Sequence, residues 1–150
     1  MAQLTVKIFS RAAVTQYRPG PKELLVSISG LEDAMADVSG YDAICRLTIS
    51  IGPKGAEESA ASMFQTAEEA RHLVDFLEEH ARHAQTLVVQ CQAGISRSPA
   101  VAAAIALLYP CHTTCQAILK RYPAFNAVLF QAIIDEWTHR RLHIASLKSR

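Results

Sequence analysis

Apolar and polar residues alternate from the start of the chain. Leu4, Val6 and Ile8 share one parity and Thr5 and Lys7 the other, which predicts a β-strand over 4–9. S-R-A-A-V-T-Q-Y (10–17) fits one or two helical turns with Ser10 as cap, and R-P-G-P (18–21) is a turn. L-L-V-S-I-S (24–29), stopped by Gly30, and A-I-C-R-L-T-I (43–49) are the second and third strands. Residues 51–62 carry no period and read as a loop. Thr66 and Glu69 form a capping box that opens a helix to about His83, with Ala70, Leu73, Val74, Leu77 and Ala81 on one stripe. T-L-V-V-Q (86–90) is a fourth strand. Three helical segments follow, 97–109, 112–121 and 125–145, broken at Pro110 and Pro123.

Strands alternating with helices predict an α/β layer. The expectation is a single domain over 1–150, with a mostly parallel central sheet of about four or five strands and helices on both sides. No internal repeat or long linker divides it. Half of the 150 residues are hydrophobic and 19% are charged, an ordinary globular mix. A formal net charge of +1 gives no general attraction to nucleic acid or to an anionic membrane, so neither is expected as a partner. The N-terminal segment lacks the apolar core of a signal peptide, and no apolar run approaches the ~20 residues of a spanning helix. Four cysteines in a chain of this size do not make a disulfide framework. The expected setting is a reduced cytoplasm.

The candidate chemistry sits where the fourth strand hands over to a helix, in C-Q-A-G-I-S-R-S-P (91–99). Ligands of open parallel sheets bind beyond the carboxyl ends of the strands, and Cys91 stands at one of them. If Gln92, Ala93, Gly94, Ile95 and Ser96 curl, their N–H groups form an anion cradle. The helix starting near Arg97 adds the positive end of its dipole. Gly94 permits positive φ. Arg97 closes the cradle with a planar fork matched to two phosphate oxygens. A thiol so placed loses its proton below the ~8.5 of free cysteine and becomes a nucleophile. Ser98 is positioned to hold the thiolate and help it leave. A buried structural cysteine is the competing reading. The combination of strand, Cys, loop Gly, Arg-Ser and uninterrupted helix favours catalysis.

The segment C-Q-A-G-I-S-R-S-P-A closely resembles the phosphate-binding loop of cysteine-dependent protein tyrosine phosphatases in their dual-specificity form. A weaker likeness to small bacterial members covers F-S-R (9–11), L-V-S-I-S (25–29), F-Q-T-A-E-E-A-R-H-L-V-D-F (64–76) and R-Y-P-A-F-N (121–126). The resemblance implies a phosphatase-like fold and a two-step reaction. Cys91 takes the phosphoryl group, Arg97 and the loop amides stabilise it, and water hydrolyses the cysteinyl-phosphate. It implies no cofactor and no metal. The expected partner is a phosphorylated protein or a small phosphoester, and a monomer is the simplest oligomeric expectation.

Two positions depart from the family pattern. Gln90 stands where the family has a histidine, leaving a hydrogen-bonding side chain without charge. The family's aspartic general acid, worth roughly 10²–10⁴-fold, has no counterpart in L-T-I-S-I-G (47–52). Glu57 or Glu58 is the candidate acid, set against a reading of both as solvated loop residues. Asp42 falls at the far end of the third strand. Two functional readings follow: an active phosphatase, or a weakly active or inactive pseudophosphatase that binds phosphorylated partners. The intact Cys91 favours the first. A rhodanese-like sulfur transferase fits the Arg-Ser-Pro helix start poorly. The loop has no extra lysine, which points to phosphoprotein rather than inositol phosphate.

Other candidates have structural readings. Cys45 is a core residue, with a redox partnership to Cys91 as the alternative. Cys111, His112 and Cys115 make a weak metal site, and helical spacing explains the pair better. His80 and His83 suit a helix C-terminus, and His139 and His143 a solvated face. Arg11 and Arg121 could rim the pocket. Asn126 fixes a turn, and Trp137 anchors the core.

Overall fold

The computed structural model describes residues 2–31, 33–50 and 60–149. Four strands, β1 (Thr5–Ser10), β2 (Glu23–Ser29), β3 (Ala43–Thr48) and β4 (Thr86–Cys91), form one sheet in the order β1-β4-β2-β3. Every neighbouring pair is parallel. The helices are α1 (Arg11–Gln16), α2 (Ala60–His80), α3 (Arg97–Leu108), α4 (Cys115–Arg121) and α5 (Ala127–Lys148), with a short 3₁₀ turn at Ala81–His83. The architecture is the predicted α/β layer, with four strands and no antiparallel pair among the described residues.

Central strands of a parallel sheet are buried on both faces and read as continuous apolar runs. β2 is buried from Glu23 to Ile28, and β4 from Leu87 to Cys91. Their alternate residues feed two cores of unequal size. Leu24, Val26, Ile28, Leu87, Val89 and Cys91 face the larger one, under α2, α3, α4 and α5. Leu25 and Val88 face a smaller one with Val14 of α1 and Ala36 of the β2–β3 connection. α3 is buried all round from Arg97 to Ile105, between the sheet and α4 and α5. Its alanines allow that close approach.

The helix boundaries depart from expectation in two places. α2 opens at Ala60, so Thr66 lies inside the helix and the capping box does not start it. β3 takes the Glu69 carboxylate instead. Oε2 accepts from the Thr48 N–H at 3.0 Å, and Gln65 Nε2 donates to the Thr48 carbonyl at 3.2 Å. These bonds satisfy backbone groups at the end of an edge strand. α4 starts only at Cys115, where the Thr114 hydroxyl accepts from the Ala117 N–H at 3.1 Å. The preceding residues run alongside β1: Leu4 N–H donates to Pro110 O and His112 N–H to Leu4 O. Cys111 is therefore bridged to Leu4, and helical spacing does not explain its relation to Cys115.

The connections open a crevice at one place. Leaving β1, the chain enters α1 on the small-core face. Leaving β2, it passes through Ala36, Val38 and Tyr41 on that same face. Leaving β4, which lies between them, it enters α3 on the opposite face. Where neighbouring connections part to opposite faces, a sheet leaves room for a ligand. That point is Cys91.

No helix among the described residues is long and apolar enough to cross a membrane. Ala103→Leu should lower the unfolding free energy by about 1–3 kcal/mol through overpacking under α3, measured by urea denaturation.

Candidate active site

Cys91 ends β4, paired in register with Ser10 of β1. The loop 92–96 rises from it and α3 begins at Arg97. Gly94 has φ +75°, and a Cβ there would lie 2.9 Å from the Ser10 nitrogen and 3.1 Å from the Phe9 carbonyl carbon. Both the conformation and the close approach require glycine. The loop is fastened at its two ends: Arg11 N–H donates to Gln92 O at 3.1 Å, and Asn126 N–H to Ser96 O at 3.0 Å. Asn126 is also the N-cap of α5, its Oδ1 accepting from Leu129 N–H at 3.0 Å, so it does fix a turn. Gln90, 1% exposed, accepts from the Ser27 hydroxyl at 2.6 Å. This pair braces β4 to β2 one residue below the thiol.

The thiol itself is 2% exposed. Its sulfur lies 3.1 Å from Ser98 Oγ and accepts the Gly94 N–H at 3.2 Å. Burial pushes Cys91 up. The Ser98 hydroxyl, the backbone N–H groups of Ser98 and Gly94 and the Arg97 charge outweigh burial, and the pKa falls below the ordinary cysteine value. The other thiols go the opposite way. Burial, helped by the Glu69 charge, raises Cys45 to about 12, and burial raises Cys111 to about 11 and Cys115 less far.

Cys45 is a core residue of β3 and is not placed to pair with Cys91. β2 stands between their strands, so their backbones are about two strand spacings, or ~9.5 Å, apart even before the offset along the strand. A disulfide needs Cα atoms within about 7 Å.

Arg97 is 4% exposed. Nη1 donates to the Ile49 carbonyl at 2.9 Å, beyond the end of β3. Nε is buried with no hydrogen-bond partner. Nη2 lies 3.7 Å from Asp33 Oδ2. One corner of the guanidinium is thus tethered, while the Nε–Nη2 edge makes no hydrogen bond among the described residues. A buried N–H without a partner costs about 1–3 kcal/mol, and an anion presenting two oxygens to this planar edge would relieve it. Gln92, Ala93 and Ile95 are exposed around the mouth, while Gly94, Arg97 and Ser98 are buried. The structure thus brings Cys91, the loop 92–96, Arg97 and Ser98 together.

Asp33 is the residue that sequence reasoning missed. It lies past the end of β2, and its Oδ2 accepts the Gly30 N–H at 2.9 Å. The sequence offers its candidate acids, Glu57 and Glu58, downstream of the third strand. The available signal was G-L-E-D (30–33) at the outgoing end of a strand predicted to run parallel to β4. Glu57 and Glu58 lie outside the described residues. Asp42 does fall at the far end of the sheet, its N–H bonded to Glu23 O at the start of β2.

The remaining candidates make no hydrogen bond to the thiol among the described residues. Arg11 is half-buried with an unpartnered Nε, and its backbone touches the loop. Arg121 is exposed and stacks on Tyr122 at 5.5 Å. His80 closes α2 and stacks on Phe76 at 4.9 Å. Trp137 borders the core, with Tyr109 edge-on at 5.3 Å and the Arg141 guanidinium 3.7 Å over its ring. A groove of about 570 Å³ beside Trp137 is lined by α2 and α5 residues, the exposed His139 and His143 included, with Arg82 and Tyr109, and by none from the 91–98 loop. No group of three or more His, Cys, Asp or Glu that could hold a metal ion occurs among the described residues.

The pH dependence of thiol alkylation tests this electrostatic balance. Cys91 should react with iodoacetamide with an inflection below the ~8.5 of free cysteine, and Ser98→Ala should move that inflection upward. Peptide mapping of the labelled site checks both. The chain matches no protein-family model, no curated protein and no solved structure.

Proposed function

We propose that this chain is a cysteine-dependent phosphatase of the dual-specificity kind, which hydrolyses phosphomonoesters, phosphoproteins foremost, through a cysteinyl-phosphate on Cys91. The observation that carries this reading is the pairing of a thiol whose pKa is lowered with a guanidinium whose Nε–Nη2 edge makes no hydrogen bond among the described residues. They stand at the two ends of a glycine-containing loop that leads into a helix N-terminus.

A phosphate seated on the loop amides and the Nε–Nη2 edge of Arg97 would present phosphorus to the Cys91 sulfur. Attack forms the S–P bond and breaks the P–O bond to the leaving group. Charge on the equatorial oxygens is met by donors already in place, so little reorganisation is needed. The Ser98 hydroxyl stabilises the thiolate before attack and again as it departs, when water displaces it from phosphorus. The positive end of α3 favours negative charge at both stages. The loop side chains Gln92, Ala93 and Ile95 add no cation that would select a polyphosphorylated ring.

The test is turnover of p-nitrophenyl phosphate, with vanadate as inhibitor. Wild type should turn over and be inhibited, and Cys91→Ser should abolish turnover. Arg97→Lys should lower kcat/KM by roughly 10²–10³-fold, the range for loss of a preorganised donor to a developing oxyanion. Vanadate or phosphopeptide binding without turnover would instead identify a phosphate-binding module.

A further inference from the structure

We propose that Asp33 supplies the proton to the leaving oxygen, and so is a catalytic residue of the phosphatase site. The assignment rests on the phosphatase reading above and extends it to a loop where sequence reasoning placed no acid.

The placement comes first. β2 is the immediate neighbour of β4, and the two run parallel, so their outgoing loops face the same crevice. Asp33 Oδ2 stands 3.7 Å from Arg97 Nη2, on the edge of the guanidinium that makes no hydrogen bond among the described residues. Among the described residues, Arg97 is the charged side chain within ion-pair distance of Asp33, and the Gly30 N–H is its hydrogen-bond donor. Gly30 makes the space: a Cβ there would lie 3.0 Å from Asp33 Oδ2 and 3.7 Å from Arg97 Nη1.

Positioning Arg97 is a poorer account of this carboxylate. The guanidinium is already tethered through Nη1 to Ile49 O at 2.9 Å, and it is 4% exposed. A gap of 3.7 Å exceeds a hydrogen bond. The Asp33 side chain is 37% exposed, so solvent and a leaving group have access to it.

A phosphate seated on the Nε–Nη2 edge would lie beside the Asp33 carboxyl group. In the first step the Cys91 sulfur bonds phosphorus, the P–O bond breaks, and the Asp33 proton passes to the departing oxygen. The products are an alcohol or phenol, the cysteinyl-phosphate and an Asp33 carboxylate. In the second step that carboxylate takes a proton from water, whose oxygen attacks phosphorus. The S–P bond breaks, releasing inorganic phosphate and the Cys91 thiolate.

Leaving-group dependence is the test. kcat/KM would be measured on 2,4-dinitrophenyl phosphate, whose leaving group needs no proton, and on phenyl phosphate, whose leaving group does. Asp33→Asn should lose about 10²–10⁴-fold on phenyl phosphate and stay close to wild type on the dinitrophenyl ester, with vanadate inhibition retained. Gly30→Ala, which displaces the carboxylate without removing it, should lose part of the phenyl phosphate activity in the same selective way. Equal losses on both esters with weakened vanadate inhibition would overturn the proposal and make Asp33 a positioning residue. An unchanged Asp33→Asn, or the selective loss appearing in a Glu57→Gln/Glu58→Gln double variant instead, would also overturn it. Should wild type hydrolyse neither ester, the phosphatase reading itself falls, and the Asp33 assignment with it.

Discussion

The site depends on how β4 ends. This strand is held between β1 and β2, buried from Leu87 to Cys91, and its chain must then leave the sheet. It leaves toward the large core while the chains from β1 and β2 leave toward the small one. The last residue of β4 therefore sits at the floor of a crevice with few contacts available directly above it. A side chain at position 91 is buried on the large-core face, at the outgoing end of the sheet. The path of the loop is narrow as well. Its backbone passes so close to β1 at Gly94 that a single methyl group would strike the Ser10 nitrogen.

Burial alone would make Cys91 inert, as it does Cys45. Both are core cysteines on neighbouring parts of one sheet, and desolvation is the largest single influence on each. What separates them is the donor set. Cys45 has Glu69 nearby, which adds to the desolvation. Cys91 has the Ser98 hydroxyl, two backbone N–H groups and the Arg97 charge, all delivered by the turn into α3. A helix N-terminus always leaves N–H groups without intrahelical partners. Here one such N–H and one loop N–H are spent on sulfur, so the same backbone that starts the helix makes the thiol acidic.

Most of the fold was legible because both periodicities were strong. The four strands carry β-rich apolar runs, and the Cys-Gly-Arg-Ser sequence announces the loop before a structure is seen. Helix starts were less legible, because a cap is a competition that sequence alone does not decide. Thr66 and Glu69 have the right spacing for a capping box, yet Glu69 bonds the end of β3, a partner distant in sequence. The α4 start failed for a related reason: residues before Thr114 find backbone partners on Leu4. Asp33 escaped notice because its significance is entirely tertiary. It lies 64 positions before Arg97 in the chain and becomes its neighbour only because β4 inserts beside β2.

That insertion explains why the crevice can hold several kinds of chemistry at once. Each of the four strands contributes at its outgoing end: β1 gives Ser10 and the Arg11 N–H, β2 gives Gly30 and Asp33, β3 gives the Ile49 carbonyl, and β4 gives Cys91. Arg97 touches two of these ends, through Nη1 to Ile49 and Nη2 toward Asp33, and its own helix starts from the third. A displacement of β3 would therefore reach the guanidinium directly. The Glu69 and Gln65 bonds from α2 to Thr48, one residue before Ile49, oppose such a displacement. The polar positions of α2 that look like a misplaced cap in the sequence are thus part of what holds the Arg97 guanidinium in place.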